Sequence, residues 1–228
     1  MLVLNLGCEP YQRIWELQHA LVEARRDQRI DDVLLLLEHE PTITLGRNAD
    51  SAHILASDYQ LRSTGITVHR VERGGDVTYH GPGQLVGYPI LSLADHHLAV
   101  ADYMHLLEET VIRTLSDLNI QARRRQGLIG VWIGDRKVAA LGARIQHGVT
   151  FHGLAINVAP NLAHFELIVP CGLSAVEITS MQKELGATVD MSAVRQRTAF
   201  NLCMLLGVPQ RQVTLPELMS QAGIALPA

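Results

Sequence analysis

The chain has 228 residues, with 19 Lys and Arg against 23 Asp and Glu, a net charge of −4, 47% hydrophobic residues and three cysteines. That composition supports a sizeable core in one large domain or two small ones and excludes intrinsic disorder. It leaves no global basic field for nucleic acid or an anionic membrane, and no apolar run nears the ~20 residues of a bilayer span. An odd number of cysteines without framework spacing points to a reducing cytoplasm. The start, MLVLNLGCEP, lacks a basic n-region and is not expected to act as a signal peptide.

In chain order, Leu2 to Leu6 reads as a short strand. A helix follows Pro10, striped by Tyr11, Ile14, Trp15, Gln18, Leu21 and Val22. Val33 to Leu37 is an unbroken apolar run, fit for a buried central strand, with Thr42 to Leu45 beyond Pro41 as its expected hairpin partner. Val68 to Val71 and Leu85 to Ile90 are strands around a glycine-rich loop. Val100, Tyr103, Leu107, Val111 and Leu118 stripe a second helix. Ile129 to Ile133 and Val138 to Ala143 flank Gly134-Asp135, a hairpin signal, and Phe151 to Val158 is a further strand. Ser192 to Leu206 is helical, with Gly207 and Pro209 as the stop. Turns join most strands and the helices are few, so the expected class is α+β, a mixed or antiparallel sheet flanked by helices. The core runs to about residue 210, and 211–228 forms a C-terminal appendage with one helical turn at Pro216 to Gln221.

Three segments carry candidate chemistry. Arg73 to Pro89, RGGDVTYHGPGQLVGYP, packs five glycines among Arg73, Asp76, Thr78, Tyr79 and His80. Glycine lets a backbone approach a ligand closely. No Gly-Lys-Ser/Thr is present, so this is not a P-loop. Gly81-Pro82-Gly83 lacks the third glycine of a dinucleotide fingerprint. Cys171 sits in a Pro/Gly corner, IVPCG, where a nucleophile could lie beside free backbone N–H groups; a buried loop cysteine is the plainer reading. Cys203 lies in an apolar helical face and reads as core, and Cys8 is open between roles. Lys137 and Lys183 are the two lysines of a chain that otherwise uses arginine. Arginine cannot release its proton, whereas lysine can, so Lys137 is a candidate for proton transfer, against the plain reading of a solvated hairpin lysine. Lys183 reads as surface.

No His-Glu-x-x-His or paired Cys-x-x-Cys is present, so no metal site is expected. His96, His97 and His19 read as solvent-facing, whereas His80 and His152 each adjoin a glycine in a site segment. Arg123 to Arg125 is a basic run, either a solvated loop or a dock for an acidic protein.

Taken together, LLLLEHEPTITLGR (Leu34 to Arg47), Arg73 to Pro89, GVWIGDRKVAALGARI (Gly130 to Ile145), FHGLAINV (Phe151 to Val158), and IVPCG with VEITSM (Ile168 to Met181) resemble the lipoyl(octanoyl) transferase family, lipoate–protein ligase B type. The resemblance implies a single catalytic domain over 1–228 with the fold of the biotin and lipoate protein ligases. It implies octanoyl transfer from acyl carrier protein to a lysine of lipoyl domains, those of 2-oxoacid dehydrogenase E2 subunits and of the glycine cleavage H protein. It places the nucleophile on Cys171 and its partner on Lys137, and the acyl and substrate contacts on Arg73, Gly74, Gly75, Asp76, Val77, Thr78, Tyr79, His80, Ala140, Leu141, Gly142, Gly153, Leu154 and Ala155. It implies no cofactor, no metal, no nucleic-acid or membrane partner, and a cytoplasmic location. An ATP-dependent lipoate–protein ligase on the same fold is the alternative. Backbone N–H groups near Gly172 and in the Gly74-Gly75 loop are the expected oxyanion donors.

Overall fold

The structure is a computed structural model and describes residues 1–169 and 176–224. Its strands and helices follow the order β1 (Leu2–Glu9), α1 (Tyr11–Arg26), β2 (Val33–His39), β3 (Thr42–Leu45), α2 (Asp58–Ser63), β4 (Thr67–Arg70), β5 (Val77–His80), β6 (Gln84–Ile90), α3 (Val100–Ser116), β7 (Arg123–Arg125), β8 (Leu128–Ile133), β9 (Arg136–Gln146), β10 (Val149–Asn157), α4 (Met181–Leu185), α5 (Met191–Leu206), β11 (Arg211–Gln212) and α6 (Leu215–Ala222).

An eight-stranded sheet runs β11-β1-β2-β6-β10-β9-β8-β7. The β1 pairings with β2 and β11 are parallel and the rest antiparallel, so the sheet is mixed, as the turn-rich pattern implies. The leucine run of β2 explains its central place. Leu35 and Leu37 face a layer built with α1 and α6, while Leu34 and Leu36 face a layer that includes α3 and α5. Strand side chains alternate faces, so a continuous apolar run fits only a strand covered on both sides. Helix α5 stops at Gly207, whose φ of +67° makes the left-handed cap that glycine adopts without steric cost.

Four expectations are corrected. Thr42 to Leu45 is not the hairpin partner of β2, because β2 is already paired on both edges by β1 and β6. The chain instead leaves the main sheet at Pro41, and β3 centres a small sheet, β4-β3-β5. Its strand β5 arises inside the glycine-rich segment, where the sequence predicts a loop. Val100 is 53% exposed and lies outside the buried stripe of α3. Tyr103, Leu107 and Val111 are fully buried, as the spacing predicts. His96 is drawn in rather than solvent-facing, with Nε2 2.5 Å from Asp32 Oδ2.

The segment from 211 onward packs into the body of the fold. β11 pairs with β1, and Leu218, Met219 and Ala222 of α6 are buried beside α1.

Candidate active site

Two neighbouring elements hold the glycine-rich turn in place. The Gly46 N–H donates to the Asp76 carbonyl and the Arg47 N–H to the Arg73 carbonyl, while Gly74 N–H donates to Ala143 O of β9 at 2.9 Å. The approach is close enough to require glycine. A Cβ on Gly142 would stand 2.9 Å from Gly74 O, and one on Gly46 2.5 Å from Gly75 O. The Gly74 N–H is therefore already committed, which corrects its expected role as an oxyanion donor. The Arg73 guanidinium is 7% exposed and donates to the carbonyl and hydroxyl of Thr44 and to Gly74 O, so it braces the turn against β3. Asp76 accepts from Val77 N–H at 2.7 Å and lies 2.7 Å from His53 Nδ1.

Beside this turn lies a cavity of about 580 Å³. That volume is typical of small-molecule sites. Arg73 to Thr78 and His80 form one side, and Ala140 to Gly142 of β9 and Gly153 to Ala155 of β10 form another. These β9 and β10 segments are brought together by register, with Gly153 opposite Gly142 and Ala155 opposite Ala140. Tyr79 points away. Alternation along β5 turns it under the small sheet, where its hydroxyl meets His164 Nδ1 at 2.7 Å. Cys171 lies outside the described residues, as does Gly172.

Lys137 lines the same cavity and is 6% exposed, which corrects the solvated-hairpin reading. Its amine lies 5.4 Å from the centroid of the Trp132 ring, within cation–π range. Its backbone is clasped on the far side, donating to Glu177 O at 2.8 Å and accepting from Thr179 N–H at 2.9 Å. Neighbouring Arg136 forks onto Glu184 at 2.8 and 2.7 Å. Lys183 is a surface residue paired with Glu177, and Cys203 is core at 4% exposure. Cys8 is exposed, and partial burial, helped by Glu38, Glu40 and Glu9, raises its thiol above the ordinary range. The arginine run is an edge strand rather than a loop. Arg124 pairs with Glu108 and Glu109, and Arg125 lies over Trp132.

Four polar aromatic side chains line the other end: Tyr11, His80, Tyr88 and His152. Periodicity places Tyr11 on a helix stripe and Tyr88 in a strand, which does not mark either as a site residue. Tyr88 hydroxyl and His39 Nε2 lie 2.8 Å apart, and His80 Nδ1 is 2.7 Å from Gln84 Oε1. Burial, and then the neighbouring His39, push the His80 imidazole down to about 3. Burial pushes His39 down to about 4 and lowers His152. All three rings are therefore neutral near pH 7. Among the described residues no group of three His, Cys, Asp or Glu side chains could hold a metal ion. No helix among them is long and apolar enough to cross a membrane.

Residues 10–202 match the model of the lipoyl protein ligase A/B catalytic domain. The chain belongs to that family. Curated relatives include an octanoyltransferase of Chloroflexus aggregans, 47% identical over 206 residues covering 89% of this chain and 93% of the relative. Another, from Syntrophobacter fumaroxidans, is 45% identical and covers 95% of both chains. Membership with these relatives makes the protein an acyltransferase. Among solved structures, a lipoate-protein ligase A bound with ATP superposes with a TM-score of 0.77 at 20% identity, covering 97% of this chain and 92% of that one. A biotin protein ligase from Aquifex aeolicus gives 0.51 at 12% identity, covering 91% and 69%. These two likenesses show the fold, the one that the sequence resemblance implies.

Proposed function

We propose that the protein transfers an octanoyl group from acyl carrier protein to a lysine of lipoyl domains, on 2-oxoacid dehydrogenase E2 subunits and the glycine cleavage H protein, through a thioester on Cys171. The observation that carries this reading is a lysine amine withdrawn from solvent into the wall of a largely apolar cavity. The octanoyltransferase relatives support it. Cys171 thiolate attacks the carrier thioester, and the carbonyl carbon forms a bond to sulfur as the carrier thiolate leaves. Lys137 ammonium gives that thiolate its proton. The acceptor lysine amine then attacks the acyl-enzyme, Lys137 takes a proton from the attacking nitrogen, and Cys171 leaves as thiolate with the amide formed. An ammonium beside a thiol favours the thiolate. Thioester to amide runs downhill, so the reaction requires no nucleotide, cofactor or metal. Roughly six methylenes at ~0.8 kcal/mol each contribute about 5 kcal/mol when buried in the cavity, enough for coarse selection of chain length. Such chemistry suits the cytoplasm, with no role for nucleic acid or a membrane.

Incubation with octanoyl carrier protein is expected to add one octanoyl mass to the protein, labile to hydroxylamine. Cys171→Ala should abolish the adduct, and Lys137→Arg should keep a cation but lose proton transfer and turnover. Persistence of the thioester in Cys171→Ala would overturn the mechanism. Octanoyl transfer strictly dependent on ATP would replace it with the ligase reading.

A further inference from the structure

We propose that His53, held by Asp76 beside the cavity, is a second catalytic base, which takes the first of the two protons that the acceptor lysine must lose. This deepens the acyltransfer reading above and rests on it.

Proton accounting calls for such a group. At pH 7 about one free lysine in 2,500 is uncharged, given an ordinary value of ~10.4, so the acceptor arrives as an ammonium. Turning it into an amide forms the bond from nitrogen to the acyl carbon, breaks the bond from that carbon to the Cys171 sulfur and releases two protons. Lys137 has given one proton to the carrier thiolate, so it can take one back. The other has to leave first, because an ammonium has no lone pair with which to attack, and it needs a base of its own. Over the whole cycle a thioester and an ammonium become an amide and a carrier thiol, and one proton goes to solvent. His53 carries that proton.

A helical turn over Ser51–His53 carries the residue. Its Nδ1 lies 2.7 Å from Asp76 Oδ2, and the two side chains are 30% and 12% exposed. Among the described residues Asp76 is the one carboxylate that lines the cavity, where Arg73 and Lys137 are the cations. An arriving ammonium therefore finds its counter-charge at Asp76. The backbone of His53 borders the chain that leads to the nucleophile. Its carbonyl accepts from Val169 N–H at 2.8 Å, and Ile54 bridges to Ile168. Val169 stands two positions before Cys171 in the sequence. With a carboxylate on Nδ1, the neutral ring keeps its proton there and Nε2 is the basic nitrogen, while the Asp76 charge stabilises the imidazolium that forms. An imidazole takes and releases protons near neutral pH, and the exposed part of this ring hands the proton to water. His80 and His39 do not suit the task, since burial holds them at about 3 and about 4.

The experiment loads the protein from octanoyl carrier protein, removes the carrier and follows single-turnover loss of the thioester to two nucleophiles, a saturating lipoyl domain and hydroxylamine. Hydroxylamine is uncharged at neutral pH and sheds one proton when acylated, which Lys137 alone can take. His53→Asn keeps an N–H for Asp76 but cannot accept a proton. It is expected to lower the ratio of lysine transfer to hydroxylamine cleavage by about 100-fold, the low end for general-base catalysis. Both rates come from one preparation, so the ratio is independent of the folded fraction, and a merely structural role would move both rates together. An unchanged ratio overturns the assignment. So does a variant that takes up no octanoyl group, which would place His53 in the first half-reaction or in the fold. Failure of the unmodified protein to take up octanoyl defeats the acyltransfer reading and this inference with it.

Discussion

Gly130 faces Lys137 across the β8–β9 pair, and its missing side chain is what lets the lysine lie flat. A Cβ there would stand 2.4 Å from Lys137 Cε, 2.9 Å from Ala139 O and 3.2 Å from Lys137 Nζ, and the φ of Gly130 is +132°. Its N–H donates to Glu108 Oε1 at 3.2 Å, and that carboxylate is 6% exposed and also accepts from Arg124. Gly130→Ala is therefore expected to displace the ammonium. Misplacing a reacting group by ~1 Å costs on the order of 100-fold. Steady-state kinetics should show kcat down by roughly 10- to 100-fold with KM little changed; unaltered kcat in a folded variant would free Lys137's placement from this contact. The scarcity of lysine, a chemical argument, makes Lys137 a candidate, and the family resemblance places the role on it. Neither could show that the side chain is buried, because that depends on Gly130 and Trp132 of the facing strand and on residues 177 and 179, some forty positions on.

At the scale of elements, β11 and α6 close one side of the sheet. Leu218, Met219 and Ala222 are buried against α1, and β11 extends the edge beside β1. Removing residues from 211 onward should cost on the order of 4 kcal/mol or more, since one buried Leu or Met side chain contributes ~1.5–3 kcal/mol. A thermal melt would show a lowered midpoint; an unchanged one would place α6 outside the core. Elements set by local pattern were legible: α1, α3 and α5 by their apolar spacing, the β8–β9 hairpin by Gly134-Asp135, and β2 by its leucines. Elements set by distant pairing were not. Thr42 pairs with Thr67 and with His80, contacts no local window contains. The same limit applies at the site. Apolar spacing places Tyr11 on the inner face of α1 but does not show that this face meets a cavity. No periodicity encodes the positive φ that turns His152 inward.

Across the whole molecule, neutral buried histidines tie stability to acidity. His39 and His80 have values of about 4 and about 3 in the fold, against an ordinary 6.5. Between those limits the unfolded chain binds more protons, so stability is fully present above about pH 6.5 and is lost as pH falls toward the folded values. Glu72, held at about 2, acts in the same direction at lower pH, because against the upward push of burial stand first the neighbouring His152 and then the indole N–H of Trp15. Urea denaturation is expected to show a midpoint that falls between about pH 7 and about pH 5, by up to ~1.4 kcal/mol per pH unit for each titrating histidine. His80→Phe should flatten that slope, and a flat profile in the unmodified protein would contradict the buried neutral rings.

The arrangement of the two lysines has a consequence for the enzyme's own safety. An acyltransferase handles activated acyl groups close to its own surface, where any free amine is a target. Here Lys137 is withdrawn from the outer surface into the cavity wall beside Trp132, and Lys183 is paired with Glu177 at 3.3 Å. The remaining side-chain cations are arginines, whose guanidinium stays protonated and is not a nucleophile. The surface is thus almost without sites for self-acylation, on this molecule or on a neighbouring copy of it.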